Sequence, residues 1–185
     1  MKFRLWSVPL FAIILVVAAC DGSMYPLSES DNSRIESNLV GTWRTQVGTW
    51  RTQDGGWGDT VEESLLSIIP FNDHEYFAIG WAPGEEDEAS PLGIFTTEVN
   101  GVLFATVSCL GCEEEDGKYF FFKYEMNSPE ELVVVGLNDD EYDEIRLLGS
   151  TSEVHRYVSA NMGRLGFFDS EIVVYQKSED LSWPW

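Results

Sequence analysis

The chain has 185 residues, and its 32 acidic side chains against 11 basic ones give a net charge of −21. Phosphate backbones and anionic headgroups repel such a surface, so nucleic acid is excluded as a partner, while metal cations and basic proteins are attracted. A polypeptide this acidic can stay unfolded, but 14% aromatic residues argue for a packed core.

The chain opens MKFRLWSVPLFAIILVVAAC, with a basic start at Lys2 and Arg4, an apolar run from Leu5 to Ala19, and then Cys20. That run is short for a membrane span and has the build of a secretory leader. Its end, Val17-Ala18-Ala19-Cys20, resembles the lipobox of bacterial lipoproteins. The resemblance implies cleavage before Cys20, a diacylglycerol on its sulfur and an acylated new amino terminus, together a stable membrane anchor. The plainer alternative is an ordinary signal cut at an A-x-A-like site, with Cys20 incidental. The lipoprotein reading places the protein in the bacterial envelope, facing the periplasm. Asp21 leans toward the inner membrane by the rule of enteric bacteria, with the outer membrane left open.

Residues 1–19 are therefore expected to be leader, and 20–34 a lipidated Cys followed by a polar, flexible tether. Residues 35–185 are expected to form one domain of about 150 residues, enough for a sizeable core. Without Lys2 and Arg4, nine basic residues face 32 acidic ones, a net of −23.

Strand signals then follow at short, even spacing. VGTWRTQVGTWRTQ opens the domain, and ESLLSIIPF and HEYFAIGWA read as the next two strands. In TTEVNGVLFATVSC, Asn100-Gly101 between apolar alternations predicts a hairpin joining strands near 93–99 and 102–109. KYFFFKYEM puts Phe120, Phe122, Tyr124 and Met126 on one face, and LVVVGL at 132–137 pairs with it. STSEVHRYVSANMG differs: Ser150 and Glu153 form a capping box ahead of a helix over about 151–161, with Gly163 placed to stop it. SEIVVYQK is the last strand, and the tail LSWPW either folds back over an apolar surface or docks elsewhere.

About eight antiparallel strands joined mostly by hairpins, with one late helix, predict an all-β, up-and-down closed barrel, a sandwich being the competitor. Gly41-Thr42-Trp43, after the apolar Leu39-Val40, resembles the G-x-W signature that opens the first strand of lipocalins and related calycin barrels. The resemblance implies a Trp at the closed end of such a barrel. The T-D-Y element usual in that family is not found here.

Val40 to Gln46 recurs letter for letter as Val47 to Gln53, so Gly48, Thr49 and Trp50 duplicate the signature. Seven is odd, and in one regular strand Trp43 and Trp50 would point to opposite faces. A solenoid needs longer units and more of them. The repeat therefore reads as a small duplication of the first strand's start, one copy forming the strand and the other extending a flanking segment.

Chemistry is sparse. Cys109-Leu110-Gly111-Cys112 precedes a run of carboxylates, which would raise a thiol pKa rather than lower it. In an exported protein a Cys109–Cys112 disulfide is expected, with a redox or zinc role as the competing readings. His74 and His155 are the only histidines, without finger spacing. The acidic clusters at 85–88, 113–116 and 139–141 lack EF-hand spacing and read as solvated loop tips. There is no G-x-S-x-G, H-E-x-x-H or phosphate-cradling glycine loop. No enzyme, metal or cofactor is expected. The leading expectation is a barrel holding a small hydrophobic ligand. The alternative is a barrel filled by its own rings that meets a basic protein through its acidic surface, similar in kind to lysozyme-inhibitor lipoproteins.

Overall fold

The computed structural model describes residues 22–50, 64–81, 89–110 and 117–178. Eight strands follow in chain order: β1 (Gly41–Trp50), β2 (Leu65–Pro70), β3 (Tyr76–Trp81), β4 (Ser90–Val99), β5 (Val102–Cys109), β6 (Phe120–Ser128), β7 (Glu131–Leu137) and β8 (Phe168–Ser178). Each pairs antiparallel with the next, and β8 returns to β1. The sheet is thus the predicted closed up-and-down barrel, lipocalin-like in architecture, and the sandwich falls away. Closure lets the apolar face cover itself and removes every unpaired edge. At the β4–β5 turn Asn100 and Gly101 have φ of 52° and 81°, the left-handed pair that a tight hairpin requires.

The register decides which side chains point inward. Trp43 stands beside Leu66 and Lys177, and Val107 beside Phe120. Following the pairs around the ring, Ile68, Tyr76, Leu92, Ile94, Val107, Phe122 and Leu132 fall on the same inward face, all buried. Phe120, Phe122 and Tyr124 point in, as their alternation predicts.

Phe121 points the other way and is still fully buried, because a helical layer covers the outside of β4–β6. Two helices make that layer where one was expected: α1 (Asp139–Ile145) and α2 (Thr151–Asn161). α1 corrects the reading of residues 139–141 as a loop tip. Asn138 Oδ1 accepts from the Asp140 N–H at 3.1 Å, and three carboxylates in the first turn suit the positive end of a helix. Tyr142 and Ile145 supply its buried face. α2 begins where predicted: Ser150 Oγ accepts from the Glu153 N–H at 3.3 Å, and Glu153 Oε2 accepts from the Gly149 N–H at 2.8 Å.

The outer layer packs by rings. Tyr142 stacks on Phe121 with centroids 6.2 Å apart, and its hydroxyl accepts from the Phe121 N–H at 2.7 Å. Phe167 meets Phe168 edge-on at 5.2 Å, and Phe168 stacks on Phe104 at 6.0 Å. Glu141, buried on α1, pairs with Arg164 and accepts from the Tyr157 hydroxyl at 3.0 Å, which ties both helices to the turn that follows them.

One outward side chain in this wall is mismatched to its surroundings. Thr106 on β5 is fully buried, and among the described residues its Oγ1 meets no hydrogen-bond partner. Thr106→Val keeps the shape and removes the desolvated hydroxyl, so stability should rise by about 1 kcal/mol. Urea unfolding of the two proteins reads this directly, and an unchanged or lower midpoint would mean that the hydroxyl is satisfied.

The segment before β1 departs from expectation. Residues 22–33 are built onto the barrel instead of forming a flexible tether, so the folded unit begins well before residue 35. Ser23, Leu27 and Ser33 are buried. Ser23 and Tyr119 exchange backbone hydrogen bonds of 2.9 and 2.8 Å, and a 3-10 turn follows at Ser30–Asn32. Short polar residues can bury in this way because neighbours take up their hydroxyls and backbone groups.

Candidate ligand site in the barrel interior

One end of the barrel is sealed by the chain itself. Residues 33–40 lie across the end where β1 begins, held by inward-facing groups of three strands. Ser33 Oγ accepts from the Thr96 N–H at 2.9 Å. The Glu36 N–H donates to the Tyr76 hydroxyl at 2.5 Å, and the Tyr124 hydroxyl donates to Glu36 Oε1 at 2.7 Å. Leu39 is buried, and its carbonyl accepts from Trp43 Nε1 at 2.9 Å.

The G-x-W residues at this end are those of the first copy. Gly41 has φ of 140°, a backbone conformation that favours glycine, and a Cβ there would lie 2.8 Å from Cε at the flexible end of Lys177. Lys177 Nζ lies 5.1 Å from the centroid of the Trp43 ring, and Trp43 is fully buried. Thr42 Oγ1 is 3.5 Å from Ser67 Oγ. The second copy enters β1 as well, which corrects the expectation that one copy lies outside the strand. Thr45 stands opposite Tyr175 and Trp50 opposite Val173, so five steps along β1 match two along β8. The extra length is absorbed as an irregularity within the strand. Residues 51–53 lie outside the described residues.

The interior is apolar but not uniform. Its large rings are Trp43, Tyr76, Phe120, Phe122, Tyr124 and Tyr175, and between them the inward positions include the small Ala78, Gly80 and Ala105. Three of the rings carry hydroxyls whose ionisation the barrel opposes. Burial holds the Tyr124 pKa far above the usual tyrosine value, and the hydrogen bond and negative charge of Glu36 add to it. Burial alone raises Tyr175, against a hydrogen bond with Ser64 that works the other way. Tyr76 is raised chiefly by burial.

Outside the sealed end, a groove of about 720 Å³ runs between the 27–36 segment, the β4–β5 hairpin and the start of α2. Glu29, Glu36, Glu98 and Arg34 line it alongside Leu27 and Leu103, so its walls mix charged groups with apolar surface. The two histidines serve the same segment from different sides. His74 Nδ1 is 2.8 Å from the Ser33 carbonyl, and His155 Nδ1 is 3.4 Å from the Leu27 carbonyl.

Cys109 ends β5, buried, and its sulfur is not free. Cys112, Cys20, the clusters at 85–88 and 113–116 and the LSWPW tail lie outside the described residues. Among the described residues no three His, Cys, Asp or Glu side chains gather as metal ligands. No family model, no curated protein and no solved structure matches the chain. The site therefore rests on its own geometry. Sequence reasoning located the inward rings of β6, but it missed Glu36, Thr96 and Tyr76 as the seal. Tyr76 lies in a segment read as a strand, whereas nothing local marks Glu36.

Proposed function

We propose that this protein is a non-enzymatic envelope lipoprotein, anchored through Cys20, whose lipocalin-like barrel holds a small hydrophobic ligand. The observation that supports the reading most is an apolar inner face that mixes rings with small residues and is sealed at one end by residues 33–40. An acyl chain entering such a space gains about 0.8 kcal/mol per buried CH2 before the costs of association, so about ten carbons give useful affinity. A Cys109–Cys112 disulfide pins the end of β5, a reading supported by the bonded state of Cys109. Asp21 favours the inner membrane as the site of anchoring.

The test is native mass spectrometry of the chain carrying Cys20→Ser behind a plain secretory leader, before and after organic extraction. A reproducible added mass that extraction removes is the expected result and identifies the ligand class. A clean protein mass would overturn the ligand reading. The six interior rings would then be the filling, and the acidic outer surface, meeting a basic protein, would become the working face. Binding there should weaken steeply with salt, whereas cavity binding should not.

A further inference from the structure

We propose that the groove between residues 27–36, the β4–β5 hairpin and the start of α2 binds a short basic peptide, its ammonium groups on Glu36 and Glu98 and its terminal carboxylate on Arg34. Neither the barrel interior nor the lipid anchor is involved. A space of about 720 Å³ is of ligand size, and its walls are held before anything enters. Ser28 Oγ and Thr97 Oγ1 lie 2.5 Å apart, and the Leu27 carbonyl meets His155 Nδ1 at 3.4 Å, so segment, hairpin and helix are tied together. Arg34 and Glu36 belong to the stretch fixed across the barrel end. The Arg34 carbonyl accepts from Thr96 Oγ1 at 3.4 Å and from the Tyr76 hydroxyl at 3.5 Å. Glu98 follows Thr96 on the same face of β4, so strand alternation sets it beside that stretch.

Charge and shape select the occupant. The carboxylates of Glu29, Glu36 and Glu98 share the groove with the guanidinium of Arg34, and among the described residues no ion pair joins them. Glu29, Arg34 and Glu98 are exposed, so their charges stay open to a ligand. Glu36 Oε1 accepts from the Tyr124 hydroxyl, which leaves the second oxygen for a further donor. A purely acidic groove would take any cation, whereas Arg34 adds a demand for one anion among the cations. Leu27 and Leu103, the latter paired with Glu98 across the hairpin, offer apolar surface to methylene stems that end in charge. A lysine-rich peptide with a free carboxyl terminus supplies ammonium groups, aliphatic stems and a single carboxylate. The chain's net charge of −21 draws such a ligand in from a distance.

The test is isothermal titration of the full chain, held in a nonionic detergent, with tri-lysine as the free acid and as the amide. The salt is about 0.15 M, where exposed charges more than about 8 Å apart are largely screened. The free acid should bind about threefold more tightly than the amide, although the amide carries the larger positive charge. Glu98→Gln should weaken both peptides by about fivefold. Glu144→Gln, which removes the same charge from an exposed site on α1 outside the groove, should leave both within about twofold. Arg34→Ala should weaken the free acid about threefold and tighten the amide.

Glu36 is left unaltered because it also holds Tyr124 in the seal. An amide that binds as tightly as the free acid would overturn the role of Arg34, and with it a peptide terminus as the occupant. Equal losses from Glu98→Gln and Glu144→Gln would mean diffuse attraction to the acidic surface, and the groove would not be a site. No binding of either peptide at millimolar concentration would overturn the proposal outright.

Discussion

Between pH 10 and pH 12 the barrel is expected to lose about 5 kcal/mol of stability and to unfold. Tyr124 and Tyr175 are each only 3% exposed, and burial raises both well above the ordinary value of 10.0. In the unfolded chain their hydroxyls ionise near pH 10, while in the barrel they stay protonated. Above pH 10 the folded state therefore binds more protons than the unfolded one, and stability falls as pH rises. The contribution is fully present below pH 10 and is lost toward the raised folded values. Each retained proton costs about 1.4 kcal/mol per pH unit, so two of them over two units give the total. That is comparable to the whole stability of an ordinary domain. Urea midpoints taken from pH 8 to pH 12, with tyrosinate absorbance followed alongside, should show ionisation of these groups coinciding with unfolding. Tyrosinate formation near pH 10 that includes Tyr124 and Tyr175, in a still-folded barrel, would show that the interior is wet.

Trp43→Ala should cost about 3–5 kcal/mol, the range for deleting a buried Trp, and leave little folded protein at 37 °C. The loss goes beyond the ring. The Leu39 carbonyl forfeits its bond to Nε1, and Lys177 loses the face it covers. Trp43→Phe separates these contributions: it keeps most of the apolar area, gives up the indole N–H and should cost about 1–2 kcal/mol. Thermal and denaturant unfolding of both variants would check the order. An Ala variant within 1 kcal/mol of the parent would mean that the seal does not depend on Trp43.

The barrel was legible because its signals are local. Asn100-Gly101 fixes a hairpin within two residues, the alternation through Phe120, Phe122 and Tyr124 assigns faces within five, and the Ser150–Glu153 box starts α2. α1 was missed because DDEYDEI is seven residues dominated by carboxylates, and only Tyr142 and Ile145 reveal a buried stripe. The docked segment was missed for a deeper reason. Ser23, Ser28 and Ser33 show no hydrophobic period, and what buries them is hydrogen bonding to Tyr25, Thr97, Thr96 and Tyr119, residues mostly far along the chain. Composition cannot distinguish a serine that is solvated from one that is bonded in this way. The seal has the same character, since Glu36 and Tyr124 are 88 residues apart.

The pairing of β1 with β8 also governs how the molecule comes to exist. Residues 42–45 find their partners at 175–178, so the ring cannot shut until the last strand has been made and has returned to the first. The segment at 22–36 waits as well, because Thr96, Tyr119, Tyr124 and His155 all emerge after it. Such non-local wiring predicts folding on the millisecond-to-second scale rather than in microseconds. Until the final strand arrives, β1 and the growing edge stand open, ready to pair with another chain. The vulnerable moment in the life of this protein is the interval before closure, and shortening β8 should lengthen it indefinitely.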